Sequence, residues 1–285
     1  MSDGFLSRAA EIYAYVFFGT VIVIALVEWA MPRRRPGDTL ALRWFGNIAI
    51  WILDVIVVRA VFPAGTIAWA AFCAERGWGL LHAVSWPASV GLVMTVIGLD
   101  FVNYSQHYLL HRIPILWRLH RTHHSDGDYD FTTGLRFHPV ESLFTTSLQF
   151  AAIFLLGAAP LSVFVAQMAF LAISFIEHGN LRVPAAIDRV VRLMFVTPDM
   201  HRIHHSQAAG ESQSNFSNLF SWWDRLFGTY VHAPSAGHEG IVFGLPEFTE
   251  RKHATLPWML VQPFLSDADA TAATNAEAAS VSGSQ

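Results

Sequence analysis

The chain contains 285 residues, of which 53% are apolar and only 14% are charged, against roughly a quarter charged in ordinary soluble domains. This composition argues against a water-soluble enzyme, and a net charge of -4 gives no reason to expect a nucleic-acid partner. The single cysteine, Cys73, excludes an internal disulfide framework and a cysteine-based metal cluster. The 14 histidines of this apolar chain are the feature that remains to be explained.

Apolar runs of about 20 residues, the length that crosses a bilayer, predict three membrane-spanning helices. These spans cover about residues 12–31, 45–62 and 88–110. A further run at 143–176 is too long for one span and is interrupted at Gly157-Ala158-Ala159-Pro160. Proline disfavours helix there, so the run predicts a helical hairpin. The segment 67–86 is apolar and contains tryptophan, which predicts that it lies in the interface or re-enters the membrane.

The arginines predict the orientation of the spans, because short cytoplasmic loops retain positive charge. They cluster after the first and third spans, at Arg33, Arg34, Arg35, Arg43, Arg112, Arg118, Arg121 and Arg136. These two segments are therefore expected to face the cytoplasm. Only one of the 18 basic residues is a lysine, Lys252. Together with abundant alanine, this bias is typical of a high-GC bacterial gene and predicts a bacterial inner membrane.

The predicted fold is an all-α membrane protein with about three spanning helices, a helical hairpin and a cytoplasmic helical cap that carries a histidine cluster. Its parts are N-terminal membrane helices at 1–111, a cytoplasmic histidine segment at 112–141, the hairpin at 142–179, the cap at 180–265 and a tail at 266–285. The tail has almost nothing to bury, so it is expected to be disordered.

The histidines follow a pattern that composition does not require. Ten of them fall into one pair, two H-x-x-H-H groups and two single positions. The pair is His107 and His111, and the single residues are His138 and His178. The two groups are His120, His123 and His124, and His201, His204 and His205. Residues at i, i+3 and i+4 share one helix face, so each H-x-x-H-H is expected to aim three imidazoles at one point. Neutral imidazole suits zinc, copper, iron and nickel, and a single metal does not take more than six ligands. The pattern predicts a two-metal site and leaves the metal open. A structural zinc site is the less favoured alternative, because such sites are normally closed by four ligands.

Polar residues near the histidines are candidates for orienting them. They are Asp100, Asn103, Glu141, Glu177 and Asp199. A carboxylate that accepts the far N–H of a ligating imidazole fixes its tautomer. Asp100 could equally form a helix-packing hydrogen bond to Asn103 or Arg59. For Asp199 the first turn of a helix is the favoured role, because Thr197 and Pro198 have the pattern of an N-cap and a first helical residue.

Three segments resemble the histidine boxes of the fatty acid hydroxylase/sterol desaturase superfamily. They are His107-Tyr-Leu-Leu-His111, His120-Arg-Thr-His123-His124 and His201-Arg-Ile-His204-His205. The segments 136–141, 197–201 and 222–230 resemble its flanking signatures, and the resemblance covers about residues 91–230. It implies that the box histidines bind two iron ions, with His138 and His178 as further ligands, and that no catalytic residue is needed beyond these ligands.

The resemblance also implies the chemistry and the partners. The expected activity is O2-dependent hydroxylation or desaturation of a membrane lipid, such as a sterol or a fatty acyl lipid. The electrons are expected from a separate protein of the ferredoxin or cytochrome b5 type. The alternative functions are a zinc-binding membrane protein or a lipid hydrolase without oxidase activity. A purified sample could also contain zinc in place of iron. A transporter is disfavoured, because it would place ionisable residues near the middle of several spans, where only Asp54 is found.

Overall fold

The computed structural model describes residues 3–266, and within them the chain is helical and contains no β-strand, only isolated β-bridges. The helices are α1 (Asp3–Ala30), α2 (Leu40–Val61), α3 (Gly65–Glu75), α4 (Ala88–Arg112), α5 (Pro114–His124), α6 (Pro139–Leu156), α7 (Pro160–Glu177), α8 (Ala185–Val191), α9 (Pro198–His204), α10 (Ala209–Ser212), α11 (Trp222–Leu226), α12 (Gly237–Gly240) and α13 (Leu256–Val261). Short 3-10 turns cover Leu80–His82, Phe131–Leu135, Pro246–Phe248, Arg251–Ala254 and Gln262–Phe264. The predicted tail lies, from residue 267 onward, outside the described residues.

Five helical segments are long and apolar enough to cross a membrane. They are Arg8–Ala30, Leu40–His82, Ala88–Arg112, Pro139–Leu156 and Pro160–Glu177. The prediction of an all-α membrane protein is confirmed, and the chain is an integral membrane protein. Segment 67–86 contributes to α3, which packs against α6 and α7. Side chains such as Phe18 and Leu26 of α1 point outward, as expected of a surface in contact with lipid.

The predicted hairpin consists of α6 and α7, and its turn follows from local chemistry. Gly157 ends α6 in the left-handed conformation, with φ 68°, which glycine adopts without the steric cost of a Cβ atom. Pro160 then begins α7 at a position where its missing N–H costs nothing. Gly79 approaches this turn so closely that a Cβ atom there would lie 2.1 Å from the Gly157 nitrogen. Glycine at both positions thus lets the Leu80–His82 segment close over the hairpin turn.

α7 occupies the middle of the bundle and packs against α1, α3 and α4. One apolar cluster joins α3, α4, α6 and α7 around Leu99, Ile153 and Val163, and includes several alanines. Small residues permit the close helix approach that drives association in lipid. A second cluster joins α1 to α7 through Phe17 and Phe175.

The cap is held on the bundle by Asp100 of α4. Its carboxylate accepts hydrogen bonds from the backbone N–H groups of Leu219 and Phe220, each at 3.0 Å, and from Trp223 Nε1 at 2.9 Å. This corrects the expectation that Asp100 orients a histidine or bonds to Asn103 or Arg59. A carboxylate buried in a membrane bundle needs several donors, and the irregular cap backbone supplies them. Asp100 therefore fixes the position of the cap.

Candidate metal centre

Nine of the ten predicted histidines lie in two compact groups at the end of the bundle where α4 and α7 end. The first histidine group contains His107, His111, His120, His124 and His204. The second histidine group contains His123, His178, His201 and His205. Within each group, one nitrogen of every ring lies within 4.8 Å of the others. Histidines from four different helices or their ends thus converge on two neighbouring points.

Each H-x-x-H-H segment divides its rings between the two groups, which corrects the expectation that one segment aims all three at one point. His120 and His124 of α5 point into the first group and His123 into the second. In the third box the pair His201 and His205 belongs to the second group, and His204 belongs to the first. Residues at i and i+4 lie nearly above one another on a helix, whereas the residue at i+3 is rotated by about 100° from that at i+4. The second and third boxes therefore each supply imidazoles to both histidine groups.

The ring nitrogens face one another at the spacing of ligands around a common cation. Nε2 of His111 lies 3.1 Å from Nε2 of His124 in the first group. In the second group, Nε2 of His178 lies 3.2 Å from that of His123 and 3.1 Å from that of His201. Nitrogens about 2.1 Å from one metal, at tetrahedral or octahedral angles, are about 3.0–3.4 Å apart. The distances between rings therefore fit metal coordination.

Hydrogen bonds to the far nitrogen orient four of the rings. Nδ1 of His107 donates to the Phe216 carbonyl at 2.9 Å, Nδ1 of His204 to Ser214 at 2.7 Å and Nδ1 of His178 to Ser174 at 2.7 Å. Nδ1 of His120 is paired with the Glu141 carboxylate at 2.7 Å. A carbonyl oxygen only accepts, so its partner Nδ1 carries the proton and Nε2 presents a lone pair. Among the described residues, Nε2 of His107, His120 and His204 is buried and has no hydrogen-bond partner. These orphaned acceptors fit a bound metal ion.

Burial keeps six of the imidazoles outside the membrane helices neutral. Desolvation, together with neighbouring imidazoles, lowers the pKa of His204 to about 3, and desolvation lowers the pKa of His178 to about 4. The pKa values of His123, His124, His201 and His205 also lie well below the usual value, chiefly because of burial. Metal ligands must be deprotonated. The rings are therefore available to a cation at neutral pH without competition from protons.

We expect the metal-free chain to lose stability as the pH falls below about 6.5, the pKa of an unfolded imidazole. Between this pH and about pH 4, the unfolded chain binds protons that the folded chain does not. Each such histidine then costs about 1.4 kcal/mol per pH unit. Thermal unfolding of the chelator-treated protein in detergent, at about pH 7.5 and about pH 5.5, measures this loss. An unfolding midpoint that is the same at both pH values would be inconsistent with neutral buried rings.

The other proposed orienting residues differ in what they contact. Glu141 pairs with His120. Glu177 accepts from Asn218 Nδ2 at 2.9 Å and lies 3.8 Å from His178 Nδ1, whose proton goes to Ser174. Asn103 accepts from Gln106 and Gln149, so the expectation that it orients a histidine is corrected.

Asp199 occupies the first turn of α9, in the role that the sequence favours for it. The Thr197 hydroxyl caps α9 by accepting from the Met200 N–H, and Pro198 is the first helical residue. Asp199 pairs with Arg33 at 2.6 Å. Its contact is therefore with the loop after α1, and this contact ties that loop to the third histidine box.

His138 lies outside both groups, which corrects the expectation that it is a further ligand. Its Nδ1 accepts from the Val140 N–H at 3.2 Å and caps the start of α6. Burial lowers the pKa of His138, and a backbone hydrogen bond with Leu260 partly offsets this. Hydrogen bonds with backbone groups thus hold the His138 ring, and the adjacent Pro139 fixes the position of His138 at the start of α6.

Aromatic rings enclose the histidines, and sequence reasoning did not identify them. Phe137 stacks on His123 at 4.6 Å, Trp117 lies 4.9 Å from His111, and Phe216 lies 5.1 Å from His111. Tyr129 lies 5.1 Å from His205 and donates its hydroxyl to the Glu177 carbonyl at 2.7 Å. Aromatic residues are common throughout this chain, so no local signal distinguishes these four. Their placement depends on contacts between distant segments.

Comparison with known proteins agrees with this geometry. A family model described as fatty acid hydroxylase matches residues 92–229, which contain both histidine groups. The chain is 32% identical to ornithine lipid hydroxylase OlsE of Rhizobium tropici, over 77% of this chain and 67% of that protein. It is 31% identical to alkylglycerol monooxygenase of Xenopus tropicalis over 62% of this chain, and 28% identical to cholesterol 25-hydroxylase of Rattus norvegicus over 61%. The chain spans 40% and 57% of the lengths of these last two proteins.

No solved structure matches the chain significantly. The family match begins within α4 and ends after α11, and the identity to the Rhizobium protein extends over two thirds of that protein. Together with the three histidine boxes, these matches establish that the chain belongs to the fatty acid hydroxylase family, within the fatty acid hydroxylase/sterol desaturase superfamily.

Proposed function

We propose that the chain is an O2-dependent di-iron oxidoreductase that hydroxylates a membrane lipid. The observation that carries this proposal is the convergence of nine histidines in two adjacent groups, with ring nitrogens at ligand spacing. The relatives are named as hydroxylases and a monooxygenase, which favours hydroxylation over desaturation. Structural zinc is disfavoured, because one group alone contains five histidines and such zinc is normally closed by four ligands.

The chain's own residues would hold the metals, orient their ligands and exclude water. When bound, an iron pair supplies the one-electron chemistry with O2 that oxidises an unactivated C–H bond. One oxygen atom would enter the lipid and the other would leave as water, which consumes two electrons and two protons. Phe137, Trp117 and Phe216 surround the rings with apolar surface. A dry site prevents side reactions of the oxidant.

The proposed cellular arrangement follows from the charge pattern. We place the histidine end and the cap in the cytoplasm, with residues 1–111 and 142–179 as membrane parts, in a bacterial inner membrane. Arg33 and Arg34, which follow α1, contact the cap through Asp199 and the Ile241 carbonyl, and arginines of this kind favour the cytoplasmic side. A separate ferredoxin or cytochrome b5 type protein would deliver the two electrons to this side.

Metal analysis followed by turnover tests the proposed function. Protein purified in mild detergent is expected to hold close to two iron ions per chain. After reduction and exposure to O2 with a lipid extract, mass spectrometry is expected to detect a hydroxylated lipid. A chain that holds only zinc and leaves every lipid unchanged after iron loading would favour the zinc-binding alternative.

We expect Glu141→Gln to weaken metal binding by about 10- to 100-fold, the usual cost of losing an outer partner of a metal-bound histidine. The substitution keeps the shape of the side chain but removes the negative charge beside His120 Nδ1. Equilibrium titration of the metal-free protein with Fe(II) measures the change. Glu177→Gln is the matched control, because the Glu177 side chain bonds to Asn218 and the His178 proton goes to a backbone carbonyl. Equal affinities for the two variants would contradict the assigned role of Glu141.

A further inference from the structure

The short helix α8 has its polar and apolar faces reversed relative to a helix in water. Asp188 and Arg192 point inward, where they form an ion pair of 2.6 Å and are nearly fully buried. The Thr197 hydroxyl donates to Asp188 at 2.6 Å. On the opposite face, the side chain of Ile187 is 55% exposed and that of Val190 is 67% exposed. A surface helix in water directs its apolar stripe inward, so the outer face of α8 is not built for water.

The exposed apolar surface continues from α8 into the next residues and onto α11. Leu193 is 70% exposed and Met194 follows it, while Leu226 and Phe227 at the end of α11 are 68% and 51% exposed. We call Ile187, Val190, Leu193, Met194, Leu226 and Phe227 the apolar rim. Water-soluble monomers rarely expose a contiguous apolar patch of this kind.

Ring contacts connect the apolar rim to the membrane bundle. Phe195, directly after Met194, stacks on Phe220 at 5.7 Å, and Phe220 stacks on Trp222 at 4.3 Å. On the far side, Phe227 stacks on Phe101 of α4 at 6.0 Å. Phe101 belongs to a membrane-spanning segment and is 40% exposed. The apolar surface of the cap is therefore continuous with the surface that α4 presents to lipid.

Basic residues lie at the edge of this surface. Arg189 of α8 and Arg225 of α11 are both exposed. The Arg225 guanidinium donates to the Ser221 and Arg192 carbonyls and lies 4.1 Å from the Tyr230 ring. Arginine stems pack along apolar surface while the charged group reaches the phosphate level. Tryptophan and tyrosine rings at this level are typical of a membrane interface. This combination fits a lipid bilayer better than a second copy of the chain.

We propose that the apolar rim is embedded in the acyl region of the leaflet at the histidine end, so that α8 lies in the membrane interface. Such interfacial helices bury their apolar face to a depth of about 5–10 Å. The rim thereby fixes how deeply the cap lies in the bilayer, because the hydrogen bond between Thr197 and Asp188 joins α8 to the start of α9. The proposal rests on the cap surface and the bundle, and it holds whichever reaction the histidine groups support.

Spin labels on single cysteines test the depth of the rim. In a Cys73→Ala background, labels are introduced through Val190→Cys, Leu193→Cys and, on the other helix, Leu226→Cys. Ile22→Cys on the exposed face of α1 is the lipid control. Thr249→Cys, which is exposed in the cap and is followed by Glu250, is the water control. The full chain is reconstituted in phospholipid vesicles, and accessibility to O2 is compared with accessibility to a water-soluble nickel chelate.

The ratio of O2 to nickel accessibility at the three rim positions is expected to match that of Ile22→Cys and to exceed that of Thr249→Cys several-fold. Ratios at the rim equal to that of Thr249→Cys would overturn the proposal. Protection of the rim from both reagents, accompanied by cross-linked dimers in the vesicles, would also overturn it, because a second copy would then cover the surface. The use of two separate helices keeps the test decisive if one variant does not fold.

Discussion

Replacement of His204 by alanine is expected to release metal from the first histidine group and to abolish lipid hydroxylation. The His204 ring is fully buried, its Nδ1 is held by the Ser214 carbonyl, and its Nε2 has no partner among the described residues. Loss of a mere outer partner already costs about 10- to 100-fold in metal affinity or activity. Loss of a ligand is therefore expected to lower turnover by more than about 100-fold. Metal analysis should fall from two irons per chain toward one.

His123→Ala makes the same test in the second histidine group, since His123 contacts His178 there. His138→Ala is the matched control, because His138 caps α6 and lies outside both groups. It should cost about 1 kcal/mol of stability, as loss of a helix cap does, while both metals and the turnover remain. Full metal content and full turnover in His204→Ala would exclude His204 as a ligand. Loss of metal in His138→Ala to the same degree would reinstate His138 as one.

Replacement of Arg43 by methionine is expected to destabilise the fold by about 3–5 kcal/mol, the usual cost of leaving a buried charge without its partner. Arg43 lies in α2 and is 2% exposed. Its Nη2 donates to Asp126 and its Nη1 to Asp130, each at 2.8 Å. Burial alone would raise the pKa of Asp126, but Arg43 and Arg136 hold it at about 2. The substitution would therefore leave two buried carboxylates close together without their guanidinium.

Asp126 follows His124 by two residues, so the change is also expected to loosen the second box and to reduce metal retention. Denaturant unfolding of the detergent-solubilised protein measures the free energy of unfolding. The exposed Arg251→Met is the control and should shift it by less than about 0.5 kcal/mol. The double variant Arg43→Met with Asp126→Asn should recover part of the loss, because the two residues are coupled. If Arg43→Met were as stable as Arg251→Met, the network would not hold the box.

Local sequence patterns account for much of the fold and of the candidate site. Apolar runs predict α1, α2 and α4, and Gly157 with Pro160 predicts the turn between α6 and α7. Thr197, Pro198 and Asp199 predict the start of α9. The spacing of the three boxes brings together the histidines within each box, because i, i+3 and i+4 positions on a helix are close whatever the surrounding fold.

Long-range partners could not be predicted in the same way. Asp100 and the cap residues it binds are more than 100 positions apart, and no periodicity connects them. Helix geometry separates one ring of each H-x-x-H-H segment from the other two, but the group that each ring joins depends on how α5 and α9 are rotated against each other, which tertiary packing decides. Arg43 belongs to a run that predicts only a cytoplasmic loop, yet it is buried because Asp126 and Asp130 approach it from the segment after α5.

The most direct test of the proposed function is incorporation of oxygen-18 from labelled O2 into a membrane lipid by the iron-loaded, reduced protein. The account predicts that mass spectrometry detects one labelled oxygen atom in the hydroxyl group of the product, and none from labelled water. It also predicts that His204→Ala forms no such product. A chain with two bound irons that forms no labelled lipid from a complete membrane lipid extract, with a competent electron donor present, would contradict the account.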